Sequence, residues 1–148
     1  MSIDNSGIYN FRRLSPTLTT SGQPGEEQFA EIAAAGVGTV INLALSDSPS
    51  ALPNEAELLA DLGIRYTHIP VDFAAPTESD FQRFTEEMDK VGGAPVHVHC
   101  IANFRVSAFI YRYRRDHLGW SEQQARPDLV GVWEPDGVWA ELISVRRS

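Results

Sequence analysis

Residues 96–115 read VHVHCIANFRVSAFIYRYRR, a short strand pattern that runs without a break into a cysteine, a tight turn and a helix. Val96 and Val98 alternate with His97 and His99 at the period of a strand, and from Val106 to Leu118 the chain reads as an apolar helix. A strand that feeds straight into a helix belongs to a crossover unit, and crossover units build parallel sheets covered by helices on both faces. Ligands of such sheets gather at the carboxyl ends of the strands, which is where Cys100 falls.

The same unit recurs upstream. Glu26 to Ala35 places Phe29, Ile32 and Ala33 on one helical face and stops at Gly36, and Thr39-Val40-Ile41-Asn42-Leu43 follows as a buried-strand run. Asn54 to Leu62 puts Ala56, Leu59 and Leu62 on one side, Gly63 ends it, and Ile64 to Val71 is the next strand. Thr77 with Asp80 three residues on forms a capping box for a third helix, which carries Phe81, Phe84 and Met88 and ends by Gly92-Gly93. The expected architecture is α/β, a central, mostly parallel sheet flanked by helices, in a single domain over residues 1–148. No repeat or low-complexity linker divides it.

A strand-to-helix loop at Cys100 is an anion trap. Its backbone N–H groups converge, the helix N-terminus adds partial positive charge, and Arg105 offers a two-pronged donor to phosphate oxygens. The same field stabilises a thiolate, so Cys100 is the candidate nucleophile. Its attack on a phosphomonoester gives a phosphocysteine, and the leaving oxygen then needs a proton from a facing acid. Asp72, in Pro-Val-Asp-Phe-Ala-Ala-Pro directly after the Ile64 to Val71 strand, stands at the same sheet edge. Glu78 and Asp80 are better explained by the first turn of their helix. The candidate phosphate-binding loop is Ile101, Ala102, Asn103, Phe104, Arg105 and Val106. It has no glycine, and Asn103 is the residue able to take a left-handed backbone.

His97 and His99 share one strand face, as a metal-binding pair would, but no further histidine lies close in sequence, and neither a metal nor another cofactor is expected. His68 and His117 read as structural. Trp120, Trp133 and Trp139 read as packing for the last segments. A formal net charge of −8 argues against a nucleic-acid partner, and Arg112, Arg114, Arg115 and the tail pair Arg146 and Arg147 read as a solvated helix face and terminus. No apolar run reaches membrane-span length, so no membrane partner is expected, and MSIDNSGIYNFRRL has no apolar stretch behind a basic start. With a single cysteine and no disulfide, the expected location is cytoplasmic.

His99-Cys100 with Arg105 and Ser107, the acid of Val71-Asp72, Ser21-Gly22-Gln23-Pro24 and Val40-Ile41-Asn42-Leu43 resemble the bacterial relatives of dual-specificity phosphatases called beta-lactamase-hydrolase-like phosphatases. The resemblance runs from about Ser21 to Ile143. It implies the fold of the tyrosine and dual-specificity phosphatases, with Cys100 as nucleophile, Arg105 as phosphate ligand, Asp72 as general acid and no metal. It also implies that Ser107 hydrogen-bonds the departing thiolate and that His99 holds the loop and favours the thiolate. The family pattern has five residues between cysteine and arginine, whereas here four intervene. Either the loop has lost a residue, or the arginine has moved one place and Val106 occupies its former slot. Three activities follow as expectations: hydrolysis of phosphotyrosine, aryl or other small phosphomonoesters or of a phosphoprotein, binding of phosphate- or sulfate-like anions or phosphorylated partners by a pseudophosphatase, or sulfur transfer through a Cys100 persulfide. The last rests on the loop spacing, which equals that of rhodanese-like sulfurtransferases.

Overall fold

A computed structural model describes residues 7–144, so Arg146 and Arg147 lie outside the described residues. The chain runs β1 (Arg12–Ser15), β2 (Leu18–Ser21), α1 (Glu26–Ala34), β3 (Thr39–Asn42), α2 (Glu55–Asp61), β4 (Arg65–His68), α3 (Glu78–Val91), β5 (Val96–His99), α4 (Phe104–Asp116), α5 (Glu122–Val130) and α6 (Gly137–Ser144). The strands form one sheet in the order β1-β2-β5-β3-β4, parallel throughout except for β1, which pairs antiparallel with β2. This is the expected mostly parallel α/β fold.

Strand alternation divides the core in two. Val96 and Val98 of β5 and Ile41 of β3 point into a large apolar cluster with Phe81, Phe84, Phe109 and Trp139 from α3, α4 and α6. Val40 points the other way, to Phe29 and Ile32 of α1 and Leu59 of α2. His97 and His99 share that second side, beside Phe11 and Phe29. Strand β5 lies between β2 and β3 with Ser21 and Asn42 opposite His99, so Cys100 is the first residue beyond the sheet's carboxyl edge.

Local signals held where the chemistry was local. Thr77 and Asp80 make the reciprocal capping box of α3, and Gly92 ends that helix at φ 62°. Other elements differ from the sequence reading. The hairpin β1–β2 was not anticipated; its four-residue strands are polar and separated only by Pro16-Thr17. The strand expected over Ile64 to Val71 is regular only over Arg65–His68, because Pro70 has no N–H, although the Ile69 and Val71 amides still reach Asn42 and Leu43 carbonyls. Helix α4 starts at Phe104, ahead of Val106.

Two burial expectations are corrected. On α2 the inward residues are Glu55 and Leu59, while Ala56 is exposed. Arg112, Arg114 and Arg115 are not a solvated face but buried. Helix α4 is packed against α3, α5 and α6 and has little face left for solvent, so these arginines take carboxylate partners instead: Glu78 and Asp116 for Arg112, Asp128 for Arg114 and Asp116 for Arg115. Their planes also cover aromatic rings, Arg112 on Phe81 at 4.3 Å and Arg114 on Trp120 at 4.2 Å. Among the described residues, no helix is long and apolar enough to cross a membrane.

Candidate active site

The loop after β5 is clamped by backbone contacts on its β2 side. The Cys100 amide donates to the Ser21 carbonyl at 3.3 Å, the Gln23 amide to the Ile101 carbonyl at 3.0 Å, and Gly22 pairs with Ala102. Asn10 closes the far side: its Nδ2 donates to the Ala102 carbonyl at 2.9 Å, while Asn103 Nδ2 donates to the Asn10 carbonyl and to Thr20 Oγ1, each at 3.0 Å. Asn103 takes the left-handed backbone expected of it, φ 70°. Its Nδ2 is held by those two bonds and its buried Oδ1 accepts none, so no side chain caps the N-terminus of α4, and the first turn carries no acid, unlike those of α1, α2, α3 and α5. A helix start of this kind keeps its N–H groups and partial positive charge for a ligand.

Arg105 lies in that first turn, 7% exposed, and its Nη1 donates to the Val71 carbonyl at 2.9 Å. Its guanidinium stands 5.8 Å from the centre of the Phe73 ring. Where Arg112, Arg114 and Arg115 each face a carboxylate, Arg105 forms no salt bridge among the described residues. A buried guanidinium whose hydrogen-bond partner among the described residues is one backbone carbonyl has donors to spare for an anion. Val106 is fully buried in the same core cluster as Cys100, which is itself only 1% exposed.

Asp72 follows the carbonyl that tethers Arg105. It is exposed, and its Oδ1 accepts from the Ala74 amide at 2.9 Å, which fixes the turn. Phe73 is 42% exposed and adjoins Phe104, Trp133 and Trp139; Phe104 lies flat on Trp133 at 4.6 Å, and Trp139 Nε1 donates to the Phe73 carbonyl at 2.7 Å. The tryptophans thus pack as expected, and they also tie the Asp72 turn to the loop. Ser107 is buried, with its hydroxyl donating to the Phe104 carbonyl at 3.0 Å rather than to Cys100.

The two histidines behind the loop are fully engaged. Ser21 Oγ uses its one proton on the Gly22 carbonyl at 2.6 Å, so at 2.8 Å it accepts from His97 Nε2, and His97 Nδ1 accepts from Thr19 Oγ1 at 2.7 Å. Burial, with the charges of His99 and Arg13, pushes His97 down to about 3, which keeps it neutral and leaves its lone pair occupied. His99 Nδ1 lies 3.1 Å from the Cys100 carbonyl, and its Nε2 lies 2.7 Å from Glu55 Oε2. Glu55 also accepts from Gln23 Nε2 at 2.8 Å. Burial would raise the Glu55 carboxyl, but the hydrogen bond and charge of His99, with Gln23 and Tyr66, hold it below the usual range.

This cysteine loop on a mostly parallel sheet can be set against known proteins. The family described as "DSP-PTPase phosphatase fused to NAD+ Kinase" matches residues 10–129. The chain belongs to that family. Among its relatives, a beta-lactamase hydrolase-like protein of Xylella fastidiosa is 33% identical across 82% of this chain, and the chain spans 34% of that protein, about a third of its length. A proposed phosphatase of Shewanella putrefaciens CN-32, known as a crystal structure, is 35% identical, with 97% of this chain and 95% of that one covered and a TM-score of 0.87. The core catalytic domain of the PP-IP phosphatase SIW14 from S. cerevisiae, in complex with citrate, shares the fold at 15% identity and a TM-score of 0.78, over 95% of this chain and 86% of that one. The protein is therefore a phosphatase-family member of the dual-specificity and tyrosine type, with its fold.

The structure brings Cys100, Arg105 and His99 to one edge of the sheet and sets Asp72 next to the carbonyl holding Arg105. Sequence reasoning missed Glu55, Asn10 and Phe73. Glu55 has the look of an ordinary first-turn acid, and Asn10 and Phe73 stand in no pattern, so their tertiary contacts reveal them: Glu55 with His99, Asn10 with Ala102 and Phe73 with Phe104.

Proposed function

We propose that the protein hydrolyses phosphomonoesters through a phosphocysteine on Cys100, with aryl phosphates as the favoured substrate class. The observation that carries this reading is Arg105: buried, without a carboxylate partner among the described residues, and in the uncapped first turn of the helix that follows the cysteine. Cys100 Sγ attacks phosphorus, the bond to the leaving oxygen breaks, and Asp72 delivers its proton to that oxygen. Water then attacks the phosphocysteine, Asp72 takes back a proton, and the sulfur–phosphorus bond breaks to release phosphate and the thiolate. Ser107 turns from the Phe104 carbonyl to the departing thiolate, and His99 holds the loop. The loop residues Ile101, Ala102, Asn103 and Phe104 supply backbone N–H groups. The reading calls on no metal, and the citrate in the yeast neighbour supports anion binding in this fold.

One observation favours a second reading, a pseudophosphatase whose loop binds phosphate or sulfate groups without turnover. Cys100 is 1% exposed and Ser107 is turned to Phe104, so the loop as it stands is closed around its nucleophile. The test is hydrolysis of an aryl phosphate by the wild type and by Cys100→Ser from mildly acidic to neutral pH, together with thermal stabilisation by phosphate. Turnover that disappears in Cys100→Ser while stabilisation persists supports the hydrolase. Stabilisation without turnover in the wild type selects the pseudophosphatase, and a sulfur atom gained on Cys100 from thiosulfate, seen by mass spectrometry, would overturn both.

A further inference from the structure

Glu55 belongs to no motif of the phosphate loop, yet its carboxylate is 5% exposed and lies on the far side of His99 from Cys100. The protons of His99 can be counted from its neighbours. A carbonyl oxygen only accepts, so Nδ1, 3.1 Å from the Cys100 carbonyl, carries a proton. Nε2 and Glu55 Oε2 are 2.7 Å apart, and a buried contact this short between a ring nitrogen and a carboxyl oxygen needs a proton between them. The other Glu55 oxygen already accepts from Gln23 Nε2, and the Tyr66 hydroxyl lies against the same carboxyl. An acid ringed by donors is a carboxylate, so the shared proton belongs to Nε2.

The groups packed on His99 among the described residues are these. From its own strand comes His97, 6.5 Å away and neutral; from α1 comes Phe29, uncharged; from β4 comes Tyr66, raised to about 12 by burial and by Glu55, and therefore un-ionised. Glu55 and the Cys100 carbonyl thus lie on opposite nitrogens of one buried ring.

We propose that Glu55 is a positioning residue of the active site: by accepting from Nε2 it keeps His99 doubly protonated, and the imidazolium fixes the Cys100 carbonyl and favours the Cys100 thiolate. The proposal rests on Cys100 being the nucleophile. Glutamine at position 55 has nearly the same shape but no charge. Its amide donates to Nε2, and His99 becomes a neutral ring protonated on Nδ1 alone.

The test uses two readouts, neither of which requires turnover. Nitrogen NMR of histidine-labelled protein at neutral pH should show both His99 nitrogens protonated in the wild type and only one in Glu55→Gln. Alkylation of Cys100 by iodoacetamide at the same pH should slow roughly three- to tenfold in Glu55→Gln, the range expected when an opposite charge nearby is lost. A wild-type His99 with one bare nitrogen overturns the proposal, and this measurement stands even if the variant does not fold. Wild-type alkylation by a folded Glu55→Gln also overturns it. If both readouts come out as expected while aryl phosphate is not hydrolysed, the hydrolase reading fails and the role of Glu55 stands.

Discussion

Gly22 offers the sharpest test of how tightly the phosphate loop is built. Its backbone is not left-handed, so alanine is conformationally allowed there and any cost is steric. A Cβ at this position would fall under 3.0 Å from the Ile101 carbonyl oxygen, 2.7 Å from Tyr9 Cδ2 and 3.2 Å from Ala102 Cα. Tyr9 is exposed and can swing away, but the other two are backbone of the loop itself. Ordinary contact begins near 3.4 Å, so the loop must retreat by roughly 1 Å. Overpacking of this kind costs about 1–3 kcal/mol, or roughly 3 °C in Tm for each kcal/mol at this chain length. A misplacement of about 1 Å at the reacting atoms costs on the order of 100-fold in rate. Gly22→Ala should therefore lose about 100-fold in kcat/KM for an aryl phosphate and unfold earlier in urea. Gly25→Ala, whose Cβ meets nothing closer than Gln28 Oε1 at 3.8 Å, is the control and should leave the rate unchanged, with only the small stability cost of alanine at the N-cap of α1. Wild-type stability and rate in Gly22→Ala would refute the claim that β2 and the loop are in close backbone contact.

Asp72→Asn should lower kcat by about 10²–10⁴-fold, most for esters with poor leaving groups, as a set of aryl phosphates of graded leaving-group acidity would show; equal rates across the set would remove Asp72 as the acid. Asp116 sets an acid limit to stability. Burial would raise its carboxyl, but Arg115 and Arg112 hold it below the usual carboxylate range. A carboxyl lowered by folding contributes stability that is complete above its unfolded value and disappears as pH falls through its folded one. Urea midpoints of the wild type and Asp116→Asn should therefore differ at neutral pH and converge below about pH 4. A constant gap down to pH 3 would count against this pairing.

Much of the fold was legible because its signals are local: the Thr77–Asp80 box, the left-handed stops at Gly36 and Gly92, and the alternation of β5 need only a few neighbours. What escaped depends on residues far apart in the chain. Asn10 meets Ala102 across 92 positions and Glu55 meets His99 across 44, and nothing near either residue announces the meeting. The same gap explains the arginines of α4. Three cations in four residues suggest a wet surface until Glu78, Asp116 and Asp128 are found opposite them. A charge's fate is set by its partner, and partners come from the tertiary fold.

Sequence left two readings of the loop, and packing gives Arg105 and Val106 different surroundings. Side chains of a helix lean toward its N-terminus, so the residues of the first turn of α4 hang over the loop they follow. Because the helix begins at Phe104, Arg105 is in that turn and reaches the Val71 carbonyl, on the side of Asp72. Val106, one residue on, is rotated about 100° around the axis and enters the apolar core with Cys100. An arginine displaced into a core-facing slot would have met Phe81, Phe109 and Trp139 with no anion and no carboxylate to receive it, a burial that costs several kcal/mol. Arg105 therefore stays at the sheet edge with the Val71 carbonyl, while the uncharged Val106 fills the core.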